Sequence, residues 1–416
     1  MKSRLVERGL PLRKICLSAL ILNLLSGGWE TVRAEEIPES FVPVRPNAVG
    51  GAFTAIANDE DAIWTNPAGI ARIRKARSRS TVNLIKIPAI VVGANTKSKE
   101  FIQGVGNNSE NADQIAAQAD ELGDKPFWAT TGAYPLMMFD IDKLPAVIGA
   151  YTTTTLKSVV NEDNPELANT NAVSDVGGIF GVAFTNRNNR FNVGVQARYL
   201  ARYAYEDKVP LTTLADGRAL QKQIKEKSNK STALAVDMGM LWTFADFWFP
   251  TIGVAVLNAP SGCRANYLNP FSKSRINVCG TVFSGEFANE EAVSTVDPTD
   301  IRYGVSITPR FGNKLGARIA VDMHHNVVIA GDKVYGLDGL DLMKQLHAGI
   351  EFFTGNPLLP SPVTFAFGLN QGYYTVGASV RLGALSLDFA SFGRDISSTS
   401  SPKEDRRLLG GLSLDF

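Results

Sequence analysis

The chain has 416 residues and a formal net charge of +1, with 42 basic against 41 acidic side chains. At the level of the whole chain that balance gives no basic footprint for nucleic acid. A mean hydropathy near zero suits a soluble chain and equally one of alternating polar and apolar residues, while 37 glycines suit tight turns and close strand packing.

The first residues carry a targeting pattern. Arg4, Arg8, Arg13 and Lys14 form a basic region, and Ile15 to Leu25 is a short apolar run. The run is too short and too early for a transmembrane helix. Val32-Arg33-Ala34 supplies small residues at the spacing of a cleavage site, so 1–34 reads as a signal peptide and the mature chain begins near Glu35. A retained N-terminal anchor is the alternative. Cys16 leaves with the signal.

Residues 35–79 do not alternate like a strand. Gly50 and Gly51 permit close backbone approach or unusual dihedrals. Asn58, Asp59 and Asp61 suit a turn, and Asn66 before Pro67 is biased away from helix. A compact segment of this kind suits the lumen of a barrel. Arg72, Arg74, Lys75, Arg77 and Arg79 follow. These cations would bind the acidic headgroup of a passing substrate or pair with lumen carboxylates such as Asp237, Glu351, Asp388 or Asp415; the structural pairing is preferred.

From about residue 80 onward the chain alternates with a period of two, which puts one face in lipid and the other in a lumen. Three weaker segments lie near 80–90, 127–138 and 145–155. Val176, Phe180 and Phe184 then form one face, as do Phe191, Val193 and Val195. Leu234, Val236, Met238 and Trp242 continue the pattern, followed by Ile252, Val254 and Val256. Tyr303, Val305 and Ile307 mark the next segment, then Leu315, Ile319 and Val321, then Leu346, Ile350 and Phe352. Val363, Phe365 and Phe367, then Tyr374, Val376 and Val380, then Leu385, Leu387 and Phe389 lead to the last strand, Leu408 to Phe416. A closing strand with a terminal Phe suits an outer-membrane barrel. The total is about fourteen, an even number, as bacterial barrels use.

Connection lengths carry an independent signal. Long connections, near 91–126, 156–174, 205–231, 259–300, 324–343 and 393–406, alternate with tight ones near 139–144, 186–189, 245–249, 310–313, 355–360 and 382–383. The one near 370–372 is short although it falls on the long side. Long external loops and short periplasmic turns give this rhythm. A soluble β-sandwich also alternates, but the leader, the terminal Phe and the loop asymmetry favour the barrel. Ala112–Leu122 and Leu214–Lys227 read as loop helices, solvated in preference to forming a lid or a lipopolysaccharide contact. Cys263 and Cys279 fall in a long external loop and, in an exported chain, read as a disulfide.

No catalytic constellation stands out. His324 and His325 are adjacent on a strand and point oppositely, a poor chelate. His347 faces the expected lumen and is the one candidate base, and no elbow or phosphate loop occurs. The chain therefore reads as a non-enzyme without cofactor or metal.

Gly50-Gly51-Ala52-Phe53, the acidic turn with Asp59 and Asp61, and Asn66-Pro67-Ala68-Gly69 together resemble the N-terminal hatch of FadL-like long-chain fatty-acid transporters. PorV-like secretion-system barrels share the pattern. The resemblance implies fourteen strands, a hatch in the lumen and no particular ligand. The expected organisation is a signal peptide at 1–34, a plug at 35–79 and an outer-membrane β-barrel at 80–416. The expected function is passive uptake of hydrophobic small molecules such as long-chain fatty acids, with outer-membrane lipid and lipopolysaccharide around the barrel. Docking of a secreted protein is the alternative. Phe101, Trp128 and Tyr267 are candidate apolar contacts at the mouth, or members of the interfacial belt.

Overall fold

In a computed structural model, the described residues are 41–73, 82–98, 126–141, 144–161, 164, 166–186, 188, 190–266, 276–286, 296–312, 315–326, 328–330, 333–335, 342–355, 361–396 and 403–416. The expected signal peptide, the cations Arg74, Lys75, Arg77 and Arg79, the loop helix at 112–122, and Phe101 and Tyr267 lie outside them.

Fourteen antiparallel strands close into one barrel. In chain order they are β1 (Val82–Asn95), β2 (in two halves, Phe127–Ala133 and Leu136–Ile141), β3 (Leu144–Val160), β4 (Leu167–Thr185), β5 (Phe191–Pro210), β6 (Asn229–Thr243) and β7 (Thr251–Leu257). There follow β8 (Asp300–Ile307), β9 (Leu315–Asn326), β10 (Leu346–Thr354), β11 (Val363–Asn370), β12 (Tyr373–Leu382), β13 (Leu385–Asp395) and β14 (Glu404–Asp415). Each strand pairs with its sequence neighbours, and β14 returns to β1 with Ile90 opposite Leu412 and Gly93 opposite Leu409. Closure leaves no free sheet edge, which is what a strand-built membrane span requires.

The faces follow the sequence. Phe180, Phe184, Leu234, Phe365 and Leu412 are exposed on the outside, while Asp175, Gln196, Arg198, Asp237 and Glu351 are buried within. No helix among the described residues is long and apolar enough to cross a membrane. The chain is a closed β-barrel with an apolar outer face and a polar inner one.

Three features differ from the expected layout. Parts of the expected connections near 156–174, 205–231 and 393–406 are strand: β3 and β4 stay paired from Ala146–Val182 out to Val160–Ala168, β5 runs to Pro210, and β13 and β14 stay paired out to Asp395–Glu404. Hydroxyl and amide side chains such as Thr154, Ser158, Thr170 and Asn171 populate this outer part of the β3–β4 pair, so the apolar alternation stops although the ladder continues. Next, β2 is interrupted at Tyr134-Pro135, opposite an irregular register between Lys86 and Ala89 in β1. Pro88 and Pro135 lack the N–H that a ladder needs. Finally, a small second sheet is separate from the barrel ladder; in it Gly262–Asn266 pairs with Ile276–Val282, and that strand pairs with Val296–Pro298 and Val328–Ala330. Cys263 and Cys279 sit opposite each other in this sheet and are joined by a disulfide.

The external connection after β5 folds into α-helices at Leu211–Ala215 and Gly217–Lys227. Asp216 caps the second, its carboxylate accepting from the Arg218 N–H at 3.0 Å.

Candidate functional site

Residues 41–73 lie inside the barrel. They form α1 (Val44–Ala48), α2 (Ala62–Thr65) and a short 3₁₀ helix, Pro67–Arg72, which packs on β3 to β6, while α1 packs on β11 to β14. The segment therefore bridges opposite parts of the wall.

Asn66 organises one end. It is fully buried; its Nδ2 donates to the Thr54 carbonyl at 2.9 Å and to the Met240 carbonyl at 3.2 Å. Its Oδ1 accepts from the Ala68 N–H at 3.1 Å, capping the 3₁₀ helix, with Pro67 at the first helical position where a missing N–H costs nothing. The wall makes room with glycine: a Cβ at Gly239 would collide with Asn66 Oδ1, and one at Gly194 with the Pro67 carbonyl. Gly69 packs against the methyl groups of Ala57 and Ala62.

At the other end Gly50 and Gly51 turn the chain through φ of 72° and 84°, values that favour glycine. The Gly50 carbonyl meets His347 Nδ1 at 2.9 Å, and Thr375 donates to the Ala48 carbonyl at 2.9 Å. Between the two ends, the Thr54 N–H donates to Asp322 Oδ2 at 2.6 Å, and Gln196 donates to the Ile63 carbonyl at 2.6 Å.

Two charged clusters tie the segment to the wall. Arg45 forks onto Glu351 at 2.6 and 2.8 Å, also reaches Asp59 and lies over the Phe53 ring at 5.0 Å. Arg318 of β9 shares Glu351. Burial would depress the Arg45 guanidinium, but Asp59 and Glu351 more than offset this and raise it. In the second cluster Glu60 pairs with Lys86, which also lies 3.5 Å from Asp415. Burial raises the Glu60 carboxyl, yet Lys86 and Arg381 outweigh burial and hold it at about 2. Asp61 accepts a hydrogen bond from the Tyr134 hydroxyl at 3.2 Å, and burial with Asp59 and Glu60 nearby pushes its carboxyl well up.

Of the basic run only Arg72 is described, and the lumen carboxylates have other partners among the described residues. Asp237 takes a fork from Arg198 at 2.7 and 3.0 Å, Glu351 takes Arg45 and Arg318, Asp388 takes Ser379, and Asp415 takes Lys86 and Arg381. Adjacent strands supply Arg198, Arg318, Ser379 and Lys86, while Arg45 comes from α1 and Arg381 from β12, two strands from β14; these pairings are not written in the sequence. Arg72 contacts only neutral oxygens. Trp128 faces inward, buried, with the Arg407 guanidinium 4.3 Å from its ring centre.

Sequence reasoning passed over the aromatic residues. Phe41 stacks on Trp64 with ring centres 4.5 Å apart. Tyr134 meets Phe41 edge-on at 4.9 Å and Tyr151 meets Trp64 at 5.2 Å. Trp64 was the available signal, the single tryptophan of residues 41–73. Phe41, Ile63 and Trp64 floor a cavity of about 110 Å³ on the external side, walled by polar groups including Arg302, His324 and Asn370. The His324 and His347 rings stack at 4.0 Å beside it; His325 instead faces Tyr303. Tyr134 carries the aromatic surface to the interruption in β2.

Comparison with solved structures places this architecture. A deltaS2S3 mutant of TodX, described as a monoaromatic hydrocarbon channel, aligns with a TM-score of 0.51 at 8% identity, over 90% of this chain and 98% of that one. The fold is that of the FadL-like outer-membrane channels. The Ralstonia pickettii toluene transporter TbuX aligns at 0.49 with 11% identity, over 91% of this chain and 99% of that one. A Pseudomonas aeruginosa FadL homologue aligns at 0.43 with 11% identity, over 91% and 98%. No family model matches the sequence, and no curated protein does.

Proposed function

We propose that the chain is a passive outer-membrane channel for hydrophobic small molecules, with residues 35–79 acting as its plug. A ligand leaves the outer leaflet, enters the external cavity and rests on Phe41, Ile63 and Trp64. It then passes along the aromatic surface as the segment shifts. Partition and diffusion suffice as the driving force. The observation that carries this reading is the continuous aromatic group Phe41–Trp64–Tyr134–Tyr151 at the boundary between the segment and the wall. Long-chain fatty acids are the proposed substrates; neutral monoaromatics, which the name of the TodX mutant cites for that protein, are a second class for the same apolar surface.

The test is binding. Full-length protein in detergent is titrated with a fluorescent long-chain fatty acid and with a neutral monoaromatic. Trp64→Ala should weaken saturable binding of both about tenfold, about 1.4 kcal/mol, within the range of aromatic contacts. Absence of saturable binding to the unaltered chain, or indifference to Trp64→Ala, would overturn the reading.

Docking of a secreted protein is the second reading, favoured by the disulfide-clipped second sheet. Co-purification of a stoichiometric partner from the outer membrane would support it.

A further inference from the structure

A second cavity, of about 240 Å³, lies under residues 41–73 on the side of the tight turns. Ala55, Ile56, Ala71 and Phe249 give it an apolar lining, and Thr243 and Thr308 add hydroxyls. Its volume is below the ~300 Å³ at which pockets begin to hold drug-sized molecules, so a ligand here is small. Phe249 reaches the cavity from the turn between β6 and β7, where Trp248 and Phe249 both take left-handed backbone angles, φ of 57° and 44°. Bulky side chains rarely adopt such angles.

Arg72 stands in the wall. Its Nη2 donates to the Thr243 hydroxyl at 2.8 Å and its Nη1 to the Ala55 carbonyl at 3.4 Å. Both acceptors are neutral. Among the described residues no carboxylate pairs with it, and the following stretch 74–81 contains no acidic residue. The other cations at this cavity are matched, Arg190 by Asp246 and Arg318 by Glu351. A guanidinium carries five N–H donors in a planar fork suited to a carboxylate, so Arg72 has donors to spare. Burial, with no anion to offset it, draws Arg72 down to about 10, and an arriving anion would relieve that cost.

We propose that this cavity is a carboxylate subsite for a small apolar acid, aromatic or short-chain. Arg72 grips the carboxylate, and Ile56, Ala71 and Phe249 receive the apolar part. The proposal rests on the reading of the chain as a hydrophobic-molecule channel and assigns that channel a small-acid cargo on its periplasmic side.

Titration of the full-length protein in detergent with benzoate, and with benzamide as its neutral counterpart, tests it. Benzoate should bind more tightly than benzamide. Arg72→Gln should weaken benzoate at least tenfold and leave benzamide unchanged, while Arg72→Lys, which keeps the charge and loses the fork, should fall between. A heat-modifiable gel shift verifies that each variant is a folded barrel. Benzoate binding that ignores Arg72→Gln overturns the proposal, as does sulfate competing as well as benzoate, which would mean a site for any anion. If neutral monoaromatics still bind in a Trp64-dependent way while benzoate does not, only this subsite falls. If neither binds, the channel reading falls with it.

Discussion

Asn66 joins three backbone groups from three places: its own 3₁₀ helix, the turn at Thr54 and strand β6 at Met240. Replacing it with alanine leaves two buried carbonyls and one buried N–H without that partner. Each such loss costs about 1–3 kcal/mol, so Asn66→Ala should loosen the segment while the barrel ladder stays intact. Limited proteolysis between residues 41 and 73 should become at least tenfold faster than in the unaltered chain, with the same heat-modifiable gel shift. Equal protection would mean that the charged clusters around Arg45 and Lys86 hold the segment alone. Asn66 was legible in the sequence because asparagine before proline carries a local signal. Arg45 and Glu60 were not: their partners Glu351 and Lys86 lie on distant strands, and no spacing rule connects them.

The strands owe their legibility to lipid, which imposes a strict apolar face. Val176, Phe180 and Phe184 mark the outside of β4 because nothing else is tolerated there. Above the membrane that constraint ends, so the outer parts of β3, β4 and β5 read as loops while their backbones remain paired. The break in β2 was similarly hidden, since Pro135 among alternating residues marks an irregularity without revealing that two half-strands share β1. The second sheet depends on its own staple. Its disulfide spans 16 residues, and closing a loop of about that size is worth ~3 kcal/mol in the chain-entropy model. Cys263→Ser with Cys279→Ser should therefore expose 262–298 to protease and leave the barrel's thermal transition unchanged. A lowered barrel transition would show that the sheet and the barrel unfold as one unit.

At the scale of the molecule, the wall and the segment inside it divide the work. The wall needs only alternation and closure, and both were readable from residues 80 to 416. The inside depends on which segments become neighbours: Arg198 with Asp237 and Arg202 with Asp175 on adjacent strands, and Arg202 with Asp297 of the second sheet. These buried pairs offset the cost of charges removed from bulk water only when both members are present. Together with residues 41–73 they leave separate cavities above and below the segment among the described residues.

Uptake by cells lacking their own hydrophobic-compound channels, with and without this chain, tests that division most directly. A labelled long-chain fatty acid and a labelled disaccharide are supplied side by side. The account predicts that the chain speeds entry of the fatty acid and leaves the disaccharide unchanged. Faster disaccharide entry with no gain for the fatty acid would contradict it and mark the barrel as an open pore.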